Sequence, residues 1–290
     1  MKFEQQVVLV TGGSRGLGKA FAHFLADAGA TVAINSTGRD ARGQTTVDEI
    51  IQSGGQAAHF SIRVEHASAL VDAVLTQFGR LDGIVHNAGF LQDKTLRKMS
   101  EAQWDAVLNV HLKSAFLLSQ AAWPHFEHSG GGRLVFISSA SGLYGNFGQS
   151  NYAAAKAGMH GLARSIALEG AQSNICCNVV APFGATEMNS ATMPEARKAV
   201  IKTDFVAPLV GYLAHPECAE TGGLFEASAG VYKKVRWQRA VGLEVDITQP
   251  IKLDDIANGW QQIVDFSEPE YPTDMRESLA LMYQRRLDTL

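Results

Sequence analysis

Short apolar runs alternate with stretches of helical periodicity through most of the chain. Apolar runs without polar interruption are typical of strands that a parallel sheet buries on both faces. Strands are predicted at residues 7–10, 31–35, 57–61, 81–89, 133–139, 174–182 and 222–228. Helices are predicted between them at 17–28, 43–53, 67–78, 101–127 and 152–170. This β-α-β-α order implies right-handed crossovers, and therefore an α/β fold built on a doubly wound parallel sheet of about seven strands.

The pattern changes after residue 230. Residues 231–290 begin with a cluster of basic side chains and continue into a turn and one amphipathic helix. So short a segment builds little core of its own, so we expect a main domain over 1–230 and a short C-terminal helical extension over 231–290. Trp237 and Trp260 favour burial, which indicates an extension packed on the domain or on a partner subunit. A solvated tail is the alternative.

Composition and charge exclude several classes of function. The chain has 290 residues, of which 46% are hydrophobic and 19% charged, and its net charge is −4. It offers no basic face for nucleic acid and no run of like charges for an anionic membrane. No apolar stretch approaches the ~18 residues of a membrane span, and the N-terminus is typical of a strand entry and not of a signal peptide. Three cysteines match neither a disulfide framework nor a metal site, so we expect no metal and a reducing compartment.

A glycine-rich segment, "VLVTGGSRGLGKAF", joins the first predicted strand to the first predicted helix. Glycines let the backbone approach a pyrophosphate closely, and the charge of that group then rests on free N–H groups at the helix N-terminus. With a strand before it and a helix after it, the segment predicts a dinucleotide-binding loop of a Rossmann-type fold. A purely structural tight turn is the alternative. The predicted cofactor contacts in this loop are Gly12, Ser14, Arg15, Gly16, Leu17 and Gly18.

The end of the second predicted strand bears on the choice of dinucleotide. An NAD enzyme usually has a carboxylate there, which binds the ribose 2′-hydroxyl; this chain has Ser36, followed by Arg39. Arg15 can reach the same corner, and two guanidiniums with a hydroxyl suit a 2′-phosphate. We therefore expect NADP. The alternatives are that both arginines are solvated loop residues, or that Asp40 turns inward and favours NAD.

Candidate catalytic side chains follow the fifth predicted strand. Tyr152 and Lys156 lie four residues apart, and therefore on one face of a helix. Ser139 ends the strand before them, and the sequence Asn-Ala-Gly at 87–89 ends the fourth strand. The carboxyl ends of parallel strands meet at one edge of the sheet, where ligands bind. Together with the glycine loop, these motifs in this order resemble the short-chain dehydrogenase/reductase family over residues 1 to about 230.

The resemblance implies a role for each of these residues. Tyr152 would exchange a proton with the substrate oxygen while hydride moves between the nicotinamide and a carbonyl carbon. Lys156 would favour the phenolate and hold the nicotinamide ribose, and Ser139 would hydrogen-bond the substrate oxygen. Tyr152 and Lys156 would thus also contact the cofactor. Further cofactor contacts are implied at Asn87, Ala88, Gly89, Pro182, Gly184 and Thr186.

One position departs from the family pattern. Many members complete a proton relay with an asparagine in the helix before the serine strand, and that place falls on His111 in this chain. Asn109 is two residues earlier and would face away. His111 would take the relay role; a satisfied core histidine is the alternative.

Several longer segments, at 96–116, 139–158, 212–230 and 235–242, resemble the (3R)-3-hydroxyacyl-CoA dehydrogenase units of peroxisomal multifunctional β-oxidation enzymes. That resemblance extends into the C-terminal extension. It implies a homodimer and a β-keto or 3-hydroxy acyl substrate, as a CoA thioester or a related ketone. Lys233, Lys234, Arg236 and Arg239 would then meet CoA phosphates, with a solvated basic patch as the alternative.

Two positions differ from those units around the adenosine. Their second strand ends in Asn-Asp, where this chain has Asn35-Ser36. Their adenine-contacting aspartate aligns with Ile62, which Arg63 follows. Both differences remove carboxylate and again favour NADP. The chain ends in "LDTL" and not in a peroxisomal tripeptide, so we expect a freestanding cytoplasmic enzyme.

Other functions remain compatible with this scaffold, because a fold does not fix a function. A reductase of simple ketones, a redox-sensing dinucleotide-binding module without catalysis, and an epimerase or dehydratase are the alternatives. The Ser139–Tyr152–Lys156 set argues against the sensor, since a sensor needs no proton donor.

Overall fold

The structure, a computed structural model, describes residues 1–37, 41–184 and 193–287. Its strands are β1 (Val7–Thr11), β2 (Thr31–Asn35), β3 (Gln56–Phe60), β4 (Gly83–His86), β5 (Gly132–Ile137), β6 (Ile175–Pro182), β7 (Leu224–Ser228) and β8 (Val231–Val235). Its helices are α1 (Gly16–Asp27), α2 (Arg42–Gln52), α3 (Ala67–Phe78), α4 (Glu101–Leu108), α5 (Ser114–His128), α6 (Ala140–Tyr144), α7 (Ser150–Glu169), α8 (Glu195–Val200), α9 (Ala207–Ala214), α10 (Leu253–Asn258), α11 (Trp260–Ile263) and α12 (Met275–Leu287).

The eight strands form one sheet in the order β3-β2-β1-β4-β5-β6-β7-β8. The pairs from β3 through β7 are parallel, so the predicted α/β class is confirmed. An eighth strand, β8, extends the sheet by one beyond the prediction. It follows β7 through only Ala229 and Gly230, both with positive φ, a connection short enough only for an antiparallel neighbour. The chain reverses its direction of growth between β1 and β4, which is where open α/β sheets bind ligands.

Helices cover both faces of this sheet. On one face α1, α2 and α9 pack through a buried cluster that includes Phe21, Ile50 and Val210. On the other face α3, α5 and α7 pack through a second cluster that includes Leu118 and Met159. Burial on both faces explains why the central strands are mostly apolar; β1, for example, is buried at every position.

The helix predicted at 101–127 is interrupted by one wider turn. α4 and α5 are joined by a π-helical segment, Asn109–Lys113, in which His111 is buried. A π turn inserts one extra residue and re-aims the side chains around it, and such turns are frequent at functional sites. Apolar periodicity does not reveal this insertion.

The chain divides into two compact units, Met1–Lys234 and Val235–Leu290. The second unit contains the short helices α10 and α11 and the longer α12, where one amphipathic helix was expected. Trp237 and Trp260 are 60% and 53% exposed in the single chain, so the burial expected of them is not found there. No helix in the described ranges is long and apolar enough to cross a bilayer.

Candidate active site

Ser139 lies just beyond the carboxyl end of β5, at the residue that caps the N-terminus of α6. Its backbone is extended, with φ −163° and ψ 155°, and its Oγ accepts a hydrogen bond from the Ser141 amide at 3.1 Å. The Ser139 hydroxyl hydrogen is therefore directed elsewhere, and it bonds the phenol of Tyr152. The strand end and the following helix thus bring together two of the predicted catalytic residues.

The start of α7 holds Tyr152 in place. The Tyr152 amide donates to Asn151 Oδ1 at 2.8 Å. Asn151 is fully buried, and its Nδ2 donates to the carbonyls of Gln92 and Gln103, both at 3.2 Å. One asparagine therefore fixes the first turn of α7 to the loop after β4 and to α4.

Lys156 lies one turn further along α7 and is buried. Its Nζ donates to the Ile137 carbonyl at 2.6 Å and stands 5.5 Å from the centroid of the Tyr152 ring. Burial lowers the pKa of Lys156 to about 7. The ammonium can therefore release a proton near neutral pH, which an exposed lysine does not.

The pKa of Tyr152 is raised from its ordinary value. Burial is the largest cause, and the Asp93 carboxylate adds to it, while the hydrogen bond from Ser139 acts in the opposite direction. The expectation that Lys156 favours the phenolate concerns the complex with the oxidised nicotinamide; in the protein alone, burial of the phenol outweighs the hydrogen bond from Ser139, and the raised pKa keeps the proton on Tyr152. A protonated phenol is the form that can donate to a developing alkoxide.

His111 is buried against Tyr152, with ring centroids 5.2 Å apart and planes at 88°. Its Nε2 lies 2.9 Å from the Phe90 carbonyl and 3.1 Å from the Phe90 amide, so either tautomer finds a partner there. Its Nδ1 is buried with no hydrogen-bond partner among the described residues. Burial, with the nearby Lys156 charge, holds the pKa of His111 well below its ordinary value, so the ring is neutral. Asn109 is exposed.

Gly89 has a structural reason to lack a side chain. A Cβ at this position would lie 2.0 Å from His111 Cε1, so the imidazole occupies the space that any other residue would fill. The glycine of the Asn-Ala-Gly segment thus admits the His111 ring beside Tyr152.

A buried histidine at the end of β4 links the glycine loop to the π turn. His86 and Thr11 are register partners at the ends of β4 and β1, and His86 Nδ1 is 3.1 Å from Thr11 Oγ1. The Thr11 oxygen also accepts the amides of Asn87 and Ala88, both at 3.0 Å, so its own hydrogen points to His86. His86 Nε2 then donates to the His111 carbonyl at 2.9 Å.

A second buried histidine, His160, is linked to the backbone of Lys156 through Ser138. Ser138 Oγ donates to the Lys156 carbonyl at 2.9 Å and lies 2.8 Å from His160 Nε2. Burial, with the Lys156 charge, lowers the pKa of His160 to about 4. The two adjacent serines therefore differ in role. Ser138 is buried against α7, whereas Ser139 contacts Tyr152.

The loop between β1 and α1 has the geometry that a diphosphate requires. Gly12 has φ +65°, and a Cβ at Gly18 would lie 2.1 Å from the Gly12 carbonyl oxygen. Within the described part of the chain, α1 has no side-chain cap and no acidic residue in its first turn. Its first N–H groups therefore remain available for an anion, and the residues present fit a dinucleotide.

Residues 6–197 match the family model of the short chain dehydrogenases. The chain belongs to the short-chain dehydrogenase family. The predicted family is confirmed, and membership makes the protein an NAD(P)-dependent oxidoreductase.

Relatives of this short-chain dehydrogenase fall into two groups by length. It is 41% identical over 287 residues to the peroxisomal multifunctional enzyme type 2 of Mus musculus, a match of 96% of this chain and 39% of that protein. It is 40% identical over 275 residues to a short-chain type dehydrogenase/reductase of Mycobacterium tuberculosis, covering 91% of this chain and 96% of that one. The solved full-length peroxisomal multifunctional enzyme type 2 of Drosophila melanogaster has a TM-score of 0.87 at 32% identity, covering 98% of this chain and 50% of that chain. This chain thus spans half or less of the two multifunctional enzymes.

Several of the predicted cofactor contacts that the structure describes lie close together at the β1–β4 switch point. Asn87 Nδ2 donates to the carbonyls of Thr11 and Gly12, both at 3.1 Å, which ties the fourth strand end to the glycine loop. A Cβ at Gly184 would lie 3.5 Å from Leu17, so the segment after β6 also approaches that loop. Arg39 and Thr186 lie outside the described residues.

The adenosine corner differs in detail from the expectation. Ser36 Oγ lies 2.9 Å from His59 Nε2. The Ile62 carbonyl accepts from Asn35 Nδ2 at 2.7 Å, and the Arg63 guanidinium is paired with the Glu65 carboxylate. Arg63 therefore brings less net charge to the corner than its sequence position suggested.

Of the four basic residues expected to meet CoA phosphates, three have partners within the chain. Lys234 pairs with Glu220 at 2.9 Å, Arg236 stacks 3.9 Å from the Tyr271 ring centroid, and Arg239 pairs with Glu270 at 2.7 Å. These side chains are less available for CoA phosphates than a basic cluster in sequence implies. Lys233 is exposed.

Sequence reasoning missed several residues that shape the site. One signal was present, namely a polar residue directly at the end of an apolar strand. It marks Thr11, His86 and Ser138. Asn151 and His59 carried no such signal, because their roles arise from contacts with residues distant in sequence.

Proposed function

We propose that this enzyme transfers hydride between NADP(H) and a β-keto or 3-hydroxy acyl substrate, specifically a 3-ketoacyl-CoA/(3R)-3-hydroxyacyl-CoA pair. The observation that carries the proposal is the meeting of Ser139, Tyr152 and Lys156 at the carboxyl end of β5. The similarity to peroxisomal multifunctional enzymes along nearly the whole chain supports the acyl substrate.

Each catalytic side chain then acts on one oxygen of the substrate. When bound, the nicotinamide ring supplies or accepts the hydride. In reduction, negative charge grows on the carbonyl oxygen; Tyr152 Oη donates its proton there, and Ser139 Oγ donates a hydrogen bond to the same atom. The raised pKa of Tyr152 keeps that proton in place beforehand. In oxidation Tyr152 takes the proton back.

Lys156 and His111 would restore the proton on Tyr152. Lys156 has a pKa of about 7, so its ammonium can pass a proton on near neutral pH. His111 lies against the Tyr152 ring and keeps one buried nitrogen, Nδ1, without a partner among the described residues. A buried nitrogen in that state is costly unless a water or a ligand group meets it, which supports a relay through His111.

The relay role and the core-histidine alternative predict different effects of substituting His111. If His111 relays a proton, His111→Leu lowers kcat by about 100-fold and changes its pH dependence, whereas His111→Asn, which keeps a polar group, loses less. If His111 only fills space, both substitutions lower the melting temperature and leave the pH profile of kcat unchanged.

The preference for NADP(H) over NAD(H) rests on Ser36 at the end of β2, where a carboxylate would repel a 2′-phosphate. Arg15 is exposed in the glycine loop and would add positive charge near this corner. Arg39, the other guanidinium of the prediction, is part of this proposal by sequence position alone.

Initial rates with acetoacetyl-CoA, at matched NADPH and NADH concentrations, test substrate and cofactor together. Ethyl acetoacetate keeps the β-keto group without CoA and is the matched control. We expect faster turnover with NADPH and a higher kcat/KM for the thioester. Turnover with NADH alone would be consistent with the enzyme class but would contradict the proposal that Ser36 favours NADP(H). Turnover of the ester alone would favour a reductase of simple ketones, and no turnover with either would favour the non-catalytic binding module.

A homodimer is proposed from the exposed apolar side chains of the C-terminal unit. In the single chain these include Leu253, Trp260, Met275 and Tyr283. Exposed apolar surface on this scale is typical of an interface. Sedimentation velocity measures the mass directly, and a monomer at micromolar concentration would contradict the proposal.

The cytoplasmic location stays a proposal. The multifunctional relatives are peroxisomal by name, whereas the mycobacterial relative of similar length is not. Imaging of the tagged full-length protein in its own cells decides between the two compartments.

A further inference from the structure

A histidine on β3 stands directly behind the residue expected to meet the cofactor ribose. His59 pairs in register with Ile34, two residues before Ser36, and its Nε2 lies 2.9 Å from Ser36 Oγ. A Cβ on Gly43 would lie 2.2 Å from the same nitrogen, so the ring edge packs directly on the backbone of α2. His59 and Ser36 are each only partly buried. The imidazole is thus fixed at Ser36, at the corner that binds the ribose 2′ position in this kind of fold.

The direction of the Ser36–His59 hydrogen bond decides what Ser36 can offer a ligand, because a serine hydroxyl has only one hydrogen. If His59 Nε2 accepts that hydrogen, the Ser36 oxygen presents only lone pairs outward, which suits the donor hydroxyl of an unphosphorylated ribose. If His59 Nε2 carries a hydrogen and donates it, the Ser36 hydrogen is free for an acceptor. A dianionic 2′-phosphate only accepts, and it needs the second arrangement.

Charge favours the same arrangement for a phosphate. A protonated His59 would carry a positive charge behind Ser36, with only the Ser36 hydroxyl between it and the 2′-phosphate, an attraction that stabilises both ions. Burial lowers the pKa of His59, so the ring alone is mostly neutral at pH 7 and has a proton to gain.

Among the described residues, the charged groups named here on the neighbouring elements have partners of their own. On α2, Glu49 binds Lys19 and His23, and Asp48 accepts from Gln44. Arg42 begins α2 and makes an interaction of its own.

Beyond β3, Arg63 is paired with Glu65. None of the carboxylates named here bonds to His59 in the described part of the chain, so no acidic neighbour fixes its protonation in advance.

We propose that His59 is a specificity-determining residue, which sets the donor direction of Ser36 and takes up a proton when NADP(H), but not NAD(H), binds. The proposal rests on the proposed use of NADP(H) and adds a proton to that binding step.

The test is the dissociation constant of NADPH and of NADH between about pH 5.5 and pH 8.5, measured by cofactor fluorescence. The free 2′-phosphate has a second pKa near 6 and titrates by itself, so each profile is compared with that of His59→Gln, in which this titration is unchanged. We expect the NADPH Kd of the wild type to rise with pH relative to the variant, by up to about tenfold per pH unit for one coupled proton. The NADH profiles of wild type and variant should run parallel.

His23→Gln removes another partly exposed histidine, bonded to Glu49 on α1 and α2, and should reproduce the wild-type profiles. Calorimetry of NADPH binding at pH 7 in two buffers of different ionisation enthalpy counts the proton directly, and the uptake should vanish in His59→Gln. Equal NADPH slopes in the wild type and His59→Gln would overturn the inference. Tighter binding of NADH than NADPH at every pH would instead contradict the proposed cofactor, whatever the slopes.

Discussion

At the scale of single residues, the adjacent serines Ser138 and Ser139 differ in role: one stabilises helix packing and the other contacts the proposed catalytic tyrosine. Ser138 is buried and bonds the Lys156 carbonyl and His160. Ser139 shares its hydroxyl between the Ser141 amide and Tyr152. Strand alternation explains the difference, since consecutive side chains of an extended segment point in opposite directions.

Replacing these serines by alanine should therefore separate two effects. Ser139→Ala is expected to lower kcat by about 100-fold or more, because one hydrogen-bond donor to the developing oxyanion is lost, with little change in melting temperature. Ser138→Ala should cost about 1–3 kcal/mol of unfolding free energy, because it leaves the His160 nitrogen and the Lys156 carbonyl without their buried partner. Steady-state kinetics and urea unfolding of both variants provide the comparison. Equal losses of activity with no loss of stability in Ser138→Ala would contradict the assignment.

The sequence motifs pointed to residues that the structure places together, and they gave no sign of pairs that a distant contact forms. Ser139, Tyr152 and Lys156 were identified by spacing, and the structure brings them together. The bond between Ser36 and His59 joins residues 23 positions apart. No local pattern predicts such a pair.

At the scale of elements, the turn between β1 and α1 brings the backbone of Gly18 very close to the carbonyl of Gly12. The Gly18 position would place a Cβ 2.1 Å from the Gly12 carbonyl oxygen and 2.5 Å from Asn87 Nδ2. Asn87 Nδ2 donates to the carbonyls of Gly12 and Thr11, so both neighbours are held. A shift of α1 to make room for a side chain at Gly18 would therefore break these contacts.

Gly18→Ala is accordingly expected to weaken cofactor binding by at least tenfold and to destabilise the fold by more than 1 kcal/mol, as overpacking does. Gly161→Ala is the matched control inside α7, where a Cβ would meet no atom within 4 Å. There alanine should be neutral or stabilise by up to about 1 kcal/mol, because it is the better helix former. Calorimetric titration with NADPH and thermal unfolding measure both quantities. A Gly18→Ala protein that binds cofactor normally would show that this contact does not shape the loop.

The boundaries of β1 to β7 and of the longer helices before residue 171 were largely predictable from apolar periodicity, and the interruptions were not. β2 (Thr31–Asn35) and α3 (Ala67–Phe78) begin and end where the pattern placed them. The π turn at Asn109–Lys113 and the edge strand β8 were missed. The first keeps helical periodicity on both sides, and the second is a mostly exposed strand without the apolar run of a central one.

At the scale of the whole molecule, three histidines are buried around Lys156, and they make stability depend on pH. His86 and His160 have pKa values lowered to about 4, and the pKa of His111 is also held low, with burial the largest cause in each case. In the unfolded chain these rings titrate near 6.5. Between those values the unfolded state binds more protons than the folded one, so stability is lost as pH falls from about 6.5 towards 4.

The free energy of unfolding should thus fall steadily between pH 6.5 and pH 5, with His86 alone contributing on the order of 3 kcal/mol by the time its folded-state pKa is reached. Urea unfolding at several pH values measures the slope. His86→Gln should make that slope shallower, whereas His66→Gln, at an exposed position before α3, should leave it unchanged. An unchanged slope in His86→Gln would mean that this ring is not buried in its neutral form.

The central claim is that Tyr152 gives the substrate its proton, and single-turnover hydride transfer in the NADPH complex tests it most directly. The matched pair is Tyr152→Phe and Tyr144→Phe, since Tyr144 is a 71% exposed tyrosine at the end of α6. We predict that Tyr152→Phe slows hydride transfer to acetoacetyl-CoA by about 100-fold or more with an unchanged NADPH Kd, while Tyr144→Phe matches the wild type. Hydride transfer in Tyr152→Phe within about threefold of the wild-type rate would contradict the account, because general acid catalysis contributes far more than that and the proton would then have to come from another group.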